Sequence, residues 1–276
     1  SEGTNTMQPC TAALVDLRKG HPRTSNLPHA AVAAACRAAA GRLDSECEAA
    51  FPLQYESSCF GTVRFIRSLS DYLTAAYGSP VFEDGLMTTN GVSHGLELCV
   101  GALSEPGELC VMEEPTYFLV HQIFVDHGLE VRGVPGDSCG LDTDMLARSL
   151  ESGELRPPRL LYLVASHGNP SGVCLSAARR AHLVALAQQY RFHILCDDVY
   201  QLLDWSPPAT AVPRLLEFDP AYVARRAADG TSLVAKGALP PAAEDEVYAQ
   251  ASAKRPRVAG AAADGAAADG AAADGA

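Results

Sequence analysis

The chain lacks most of what would send it to a membrane, a secretory route or a nucleic acid. Its 276 residues hold no apolar run that approaches the ~20 residues needed to span a bilayer. No basic stretch followed by an apolar core opens it, so no secretory signal is legible. Positive charge is scarce: 21 Lys and Arg stand against 33 Asp and Glu, a formal net charge of −12. That balance argues against general nucleic-acid binding, which draws on clustered basic residues. The nine cysteines include no CxxC pair, and their number is odd. Scattered among apolar neighbours, they read as reduced, buried thiols of a cytoplasmic protein.

What is present is alternation. Residues 30–43 are Ala-rich and predict a helix, and residues 64–77 place Phe65, Leu69, Tyr72, Leu73 and Ala76 at helical spacing. Residues 87–90 read as a short strand, followed by a loop that opens a helix. Residues 109–113 read as a strand, 117–127 as a helix, 129–135 as a strand and 141–150 as a helix. Strands alternating with helices predict an α/β fold, a mostly parallel sheet between two helical layers. After about Pro220 the periodicity weakens and no strand is clear. Residues 261–275 repeat AAADG three times, a composition that cannot build a core and reads as a disordered tail. KRPRV, at 254–258, is either a solvated basic patch or a mimic of a nuclear-import signal.

The densest information lies between Arg159 and Trp205. RLLYLVASHGNPSG and FHILCDDVYQLLDW are apolar runs that end in polar residues, and an amphipathic run capped by Ser176 joins them. This is a βαβ unit. Ligands of open α/β sheets bind outside the carboxyl ends of the strands. An amide (Asn169), a carboxylate (Asp197) and a phenol (Tyr200) are therefore brought to one place, where a planar heteroaromatic cofactor could be held.

These residues resemble the pyridoxal-phosphate enzymes of fold type I, specifically class I/II aminotransferases of the 2-aminoadipate-aminotransferase-like branch. NPSG (169–172) resembles the family's NP[TS]G, and DDVY (197–200) its D-x-x-Y, at a separation of 28 residues. The resemblance covers roughly residues 17–219. It implies the three-layer major domain of that fold, pyridoxal phosphate as cofactor, an amino acid and a 2-oxo acid as substrates, and a homodimer. Asp197 then holds the proton of the ring nitrogen, while Asn169 and Tyr200 donate to the phenolic oxygen. Taken alone, Asp197 reads equally as a helix cap or a solvated loop acid. Val92, Ser93 and His94, in TTNGVSHGLEL, resemble the phosphate cup, where free N–H groups of a helix start meet an anion. The plain alternative is an ordinary capped helix. Tyr117 resembles the ring that stacks on the cofactor, and reads equally as a core tyrosine. Tyr55 resembles the tyrosine that reaches the phosphate of the partner subunit, although Glu56 stands where a Gly is common. Gly20 resembles the glycine whose backbone lies near the substrate carboxylate. Asp198 falls outside the D-x-x-Y register and reads as structural.

The resemblance also has a gap. The family carries its reactive lysine in an S-x-x-K motif, followed by a P-G-L-R-like run. Here the lysine at comparable distance is Lys236, with Ser232 four residues before it and Gly237, Ala238, Leu239 and Pro240 after it. The small C-terminal domain, with its substrate-binding arginine, has no counterpart. The expected organisation is an N-terminal arm and helix (1–60), a partial cofactor-binding major domain (61–236) and a low-complexity tail (237–276). Two further readings are a non-catalytic or truncated remnant of the fold and a pyridoxal-phosphate lyase. A cofactor-sensing regulator would need a helix-turn-helix module, and none is legible before Gly20.

Overall fold

The structure, a computed structural model, describes residues 22–45, 58–204 and 212–229. They fall into two units. The first holds a 3-10 turn, Thr24–Asn26, and helix α1, His29–Ser45. The second holds everything else described. The segment 237–276, the AAADG repeat and the KRPRV patch lie outside the described residues.

The second unit is a five-stranded sheet in the order β3-β2-β1-β4-β5. Its strands are β1 (Leu109–Glu114), β2 (Glu130–Asp137), β3 (Gly140–Leu141), β4 (Leu160–Leu163) and β5 (His193–Cys196). All neighbouring pairs are parallel except β2 with β3. Its helices are α2 (Val63–Tyr77), α3 (Gly91–Leu103), α4 (Val120–Asp126), α5 (Thr143–Ser152), α6 (Ala177–Tyr190) and α7 (Pro220–Ala228).

Side-chain alternation along the strands splits the core in two. Leu109 and Val111 of β1, with Leu161 and Leu163 of β4, meet Leu146 and Leu150 of α5 and Leu183 and Leu186 of α6. Cys110, Met112, Leu160 and Tyr162 point the other way, to Val100 of α3 and to Val120 and Phe124 of α4. This is the expected α/β/α sandwich. β1 and β4 are buried on both faces, which explains why they read as continuous apolar runs rather than alternating ones.

Helix boundaries follow local chemistry. The Asp142 side chain accepts from the N–H groups of Asp144 and Met145, so α5 starts at Thr143 and leaves Leu141 to β3. Ser176 caps α6 through Arg179 N–H. α4 is shorter than the expected 117–127, because the chain turns at Phe118 and Leu119 before buried Val120 opens the helix. Residues 87–90 are not a strand. They pair with no strand, Asn90 forms a bend, and Thr88 N–H donates to Phe60 O. Residues 86–90 are thus the loop that leads into α3, which starts at Gly91. After Pro220, where the periodicity weakens and no strand is legible, the chain forms a helix. Asp219 accepts from Ala221 N–H and Pro220 occupies the first turn, which together start α7. In α2 it is Ile66 and Ser70 that are buried, while Phe65 and Tyr72 stand 52% and 56% exposed.

Candidate active site

A cleft of about 260 Å³ opens past the carboxyl ends of β4 and β5. Three segments reach it from the loops. Val164 and Asn169 follow β4, Asp197, Val199 and Tyr200 follow β5, and Tyr117 and Leu119 precede α4. Val92, Ser93 and Leu96 come from the start of α3. The walls are mostly apolar, with a carboxylate, an amide, a hydroxyl and two phenols set among them. That composition suits a small-molecule site.

Six of the residues expected from sequence thus share one cleft: Val92, Ser93, Tyr117, Asn169, Asp197 and Tyr200. His94 does not line it. Its Nδ1 accepts the N–H of Asn90 at 3.1 Å, which commits the ring to the start of α3. Tyr55, Gly20 and Lys236 lie outside the described residues.

Asp197 continues the ladder of β5, its N–H donating to Leu163 O at 2.9 Å. Successive side chains of an extended segment point to opposite faces. Asp197 faces the cleft, and Asp198 lies on the other side of the sheet, beside Leu215 and Asp219. Burial pushes the carboxyl of Asp198 up, against the opposing pull of the Cys196 hydrogen bond, Arg180 and Arg214.

Two positioning residues escaped the sequence reading. Tyr162, fully buried on β4, donates its phenol to Asp197 Oδ2 at 3.0 Å. Burial first, then the negative charge of Asp197, holds this phenol far above its ordinary range, so it stays a donor. Arg180, also fully buried, ties down both ends of the loop that carries Asn169. It donates to Leu175 O at 2.9 Å, Ala165 O and Ser166 Oγ at 2.8 and 2.9 Å, and Pro213 O at 3.1 Å. Ser166 Oγ in turn donates to Gln201 Oε1. A helical arginine next to Arg179 carries no sequence mark of burial. Tyr162 sits in an apolar run and reads as core.

The cleft also passes a test of chemistry for pyridoxal phosphate. Asp197 offers a carboxylate braced from beneath, as a pyridinium nitrogen requires. Asn169 and Tyr200 offer donors, and Tyr117 an aromatic face. Ser93 and the start of α3 offer donors for a phosphate. Asn90 caps α3 with no side-chain hydrogen bond of its own.

Residues 15–229 match the family model for aminotransferase class I and II. The aromatic-amino-acid aminotransferase 1 of Thermococcus litoralis is 31% identical over 163 residues, 58% of this chain and 39% of that protein. The mitochondrial kynurenine/alpha-aminoadipate aminotransferase of Rattus norvegicus is 27% identical over 171 residues, 56% of this chain and 40% of its own length. Among solved structures, the multiple substrate aminotransferase of Thermococcus profundus superposes with a TM-score of 0.62 at 28% identity, over 73% of this chain and 48% of that one. The chain thus spans less than half of these relatives. With well over half of its 276 residues inside the matched region, the chain belongs to the aminotransferase class I and II family.

Proposed function

We propose that this chain binds pyridoxal phosphate in the cleft at the ends of β4 and β5, as the cofactor-binding part of an aminotransferase. The observation that carries the reading is the convergence of Asn169, Asp197, Tyr200, Tyr117 and Ser93 on one mostly apolar cleft. When bound, pyridoxal phosphate supplies an electron sink for bonds broken at the α-carbon of an amino acid. The chain's own residues do the rest. Asp197, braced by Tyr162, holds the proton of the ring nitrogen. Asn169 and Tyr200 orient the ring through its phenolic oxygen. Tyr117 covers one face of the ring, and Val92 and Ser93 receive the phosphate.

The substrates in this reading are an amino acid and a 2-oxo acid, and the setting is cytoplasmic. Among the described residues no helix is long and apolar enough to cross a membrane. Tyr55 and Gly20 keep their proposed roles at the phosphate of a partner subunit and at the substrate carboxylate, which makes the working form a homodimer. Residues 61–236 are the proposed cofactor-binding domain. Lys236 is the candidate for covalent attachment and for the proton transfer at the α-carbon. Its spacing from Ser232 departs from the family motif, and no arginine follows in the expected run. Loss of one positioned acid–base group costs about 10²–10⁴ in rate. The chain as written is therefore expected to bind cofactor and to transfer amino groups little or not at all.

Borohydride reduction of the cofactor-loaded chain, with peptide mapping and an amino-transfer assay to 2-oxoglutarate, tests both halves. The expected result is saturable binding, no phosphopyridoxyl group on Lys236 and no measurable transfer. A labelled Lys236 together with transfer would establish a working enzyme. Absence of binding would remove the cofactor reading itself.

A further inference from the structure

Outside the cleft, a thiol, an imidazole and a carboxylate stand in a row. Cys174 Sγ lies 3.5 Å from Nδ1 of His167. The same sulfur accepts the backbone N–H of His167 at 3.2 Å. On the far edge of the ring, Nε2 faces Asp204 Oδ1 at 3.6 Å. That nitrogen is buried and has no hydrogen-bond partner. His167 is held at a φ of +51°, a region uncommon for a residue with a side chain. None of the three residues lines the cleft. Cys174 itself is only partly buried.

The chemistry of the row is directional. A thiolate, not a thiol, is the nucleophile. When the thiol proton moves to Nδ1, the imidazolium stands between two negative groups, the sulfur and the Asp204 carboxylate. The orphaned Nε2 then carries a positive N–H toward that carboxylate. The sulfur keeps the backbone N–H of His167, a donor that favours its charged form.

We propose that Cys174 is a reactive thiol, activated by His167 and Asp204, and a site of modification by small electrophiles. With an alkyl halide the step balances simply. The sulfur forms the S–C bond as the carbon–halogen bond breaks, halide leaves, and the former thiol proton remains on His167. Among the described residues, no other cysteine sulfur has a histidine ring nitrogen within hydrogen-bond distance. Cys110 is buried in the sheet, where burial pushes its thiol up to about 12. Cys36, Cys59 and Cys139 are exposed and serve as internal references.

The test is alkylation of the whole folded chain with limiting iodoacetamide at about pH 6 and about pH 8.5, read by peptide mass mapping. An ordinary thiol, with a pKa near 8.5, loses about 100-fold in rate between these conditions. Cys174 is expected to change by less than about fivefold, and so to be labelled first at the lower pH. His167→Asn, a residue that tolerates the left-handed backbone, is expected to return Cys174 to the profile of the references. A Cys174 profile that tracks the references in the native chain, or no labelling at either pH, overturns the proposal. The native profile decides the matter even where the variant fails to fold.

Discussion

The phenol of Tyr162 donates to Asp197 Oδ2 at 3.0 Å from inside the sheet. One residue belongs to the core and the other to the cleft, so the contact fixes a functional carboxylate to the most rigid part of the fold. Tyr162 also meets Phe124 edge to face, at 5.9 Å between ring centroids. Tyr162→Phe keeps the ring and removes the donor. A hydrogen bond to a charged group is worth about 1.5–3 kcal/mol. The variant is expected to fold normally and to bind pyridoxal phosphate about tenfold more weakly, as read by fluorescence titration. Unchanged affinity would make Tyr162 a packing residue only.

Arg180 gives a second prediction, on stability. Arg180→Met takes the buried donor from the carbonyls of Leu175 and Pro213 and from Ser166 Oγ, while Ala165 O keeps the N–H of Leu175. Each unsatisfied buried group costs about 1–3 kcal/mol, so a total loss of about 3 kcal/mol is expected from urea denaturation. The neighbouring Arg179 pairs with Asp137 at the surface, at 2.6 Å. Surface pairs contribute little, so Arg179→Met is expected to shift the urea midpoint far less.

The pH dependence follows from the buried acids. Burial raises the Cys110 thiol to about 12, and burial and Asp197 raise the Tyr162 phenol as well. Above about pH 9 the unfolded chain sheds protons that the folded chain keeps, so stability falls as pH rises. The urea midpoint is expected to drop steadily between about pH 9 and 12, and Cys110→Ala to flatten that drop. At the other end, the Arg179 hydrogen bonds hold the Asp137 carboxyl down at about 2. Its contribution is present above about pH 4 and lost toward pH 2, and salt screens it because the group is exposed.

Much of this was legible before the fold was known, for reasons visible in individual residues. The runs of β1 and β4 announce themselves because both faces of each strand are buried. Asp142 and Ser176 mark helix starts because a short polar side chain meets free N–H groups there. Asp197 and Asn169 stand out because each ends an apolar run. What stayed hidden depends on three dimensions. His94 was assigned to the phosphate by its neighbours in sequence, yet its ring serves Asn90. Residues 87–90 have strand-like composition but no partner strand. Tyr162 and Arg180 gain their roles from contacts 35 and 15 residues away, to Asp197 and Ala165. α7 was missed although Asp219 and Pro220 signalled it, because the Ala-rich stretch after it diluted the periodicity.

The most direct measurement is calorimetric titration of the folded chain with pyridoxal phosphate, on the native sequence and on Asp197→Ala and Asp198→Ala. Asp197 lines the cleft and Asp198 lies across the sheet from it. Saturable binding of one cofactor per chain is expected. A loss of about 10- to 100-fold is expected on Asp197→Ala, matching the ~1–3 kcal/mol of an unpaired charged group, with near-native affinity on Asp198→Ala. No heat at millimolar cofactor, or an equal loss at both positions, would contradict the cofactor reading.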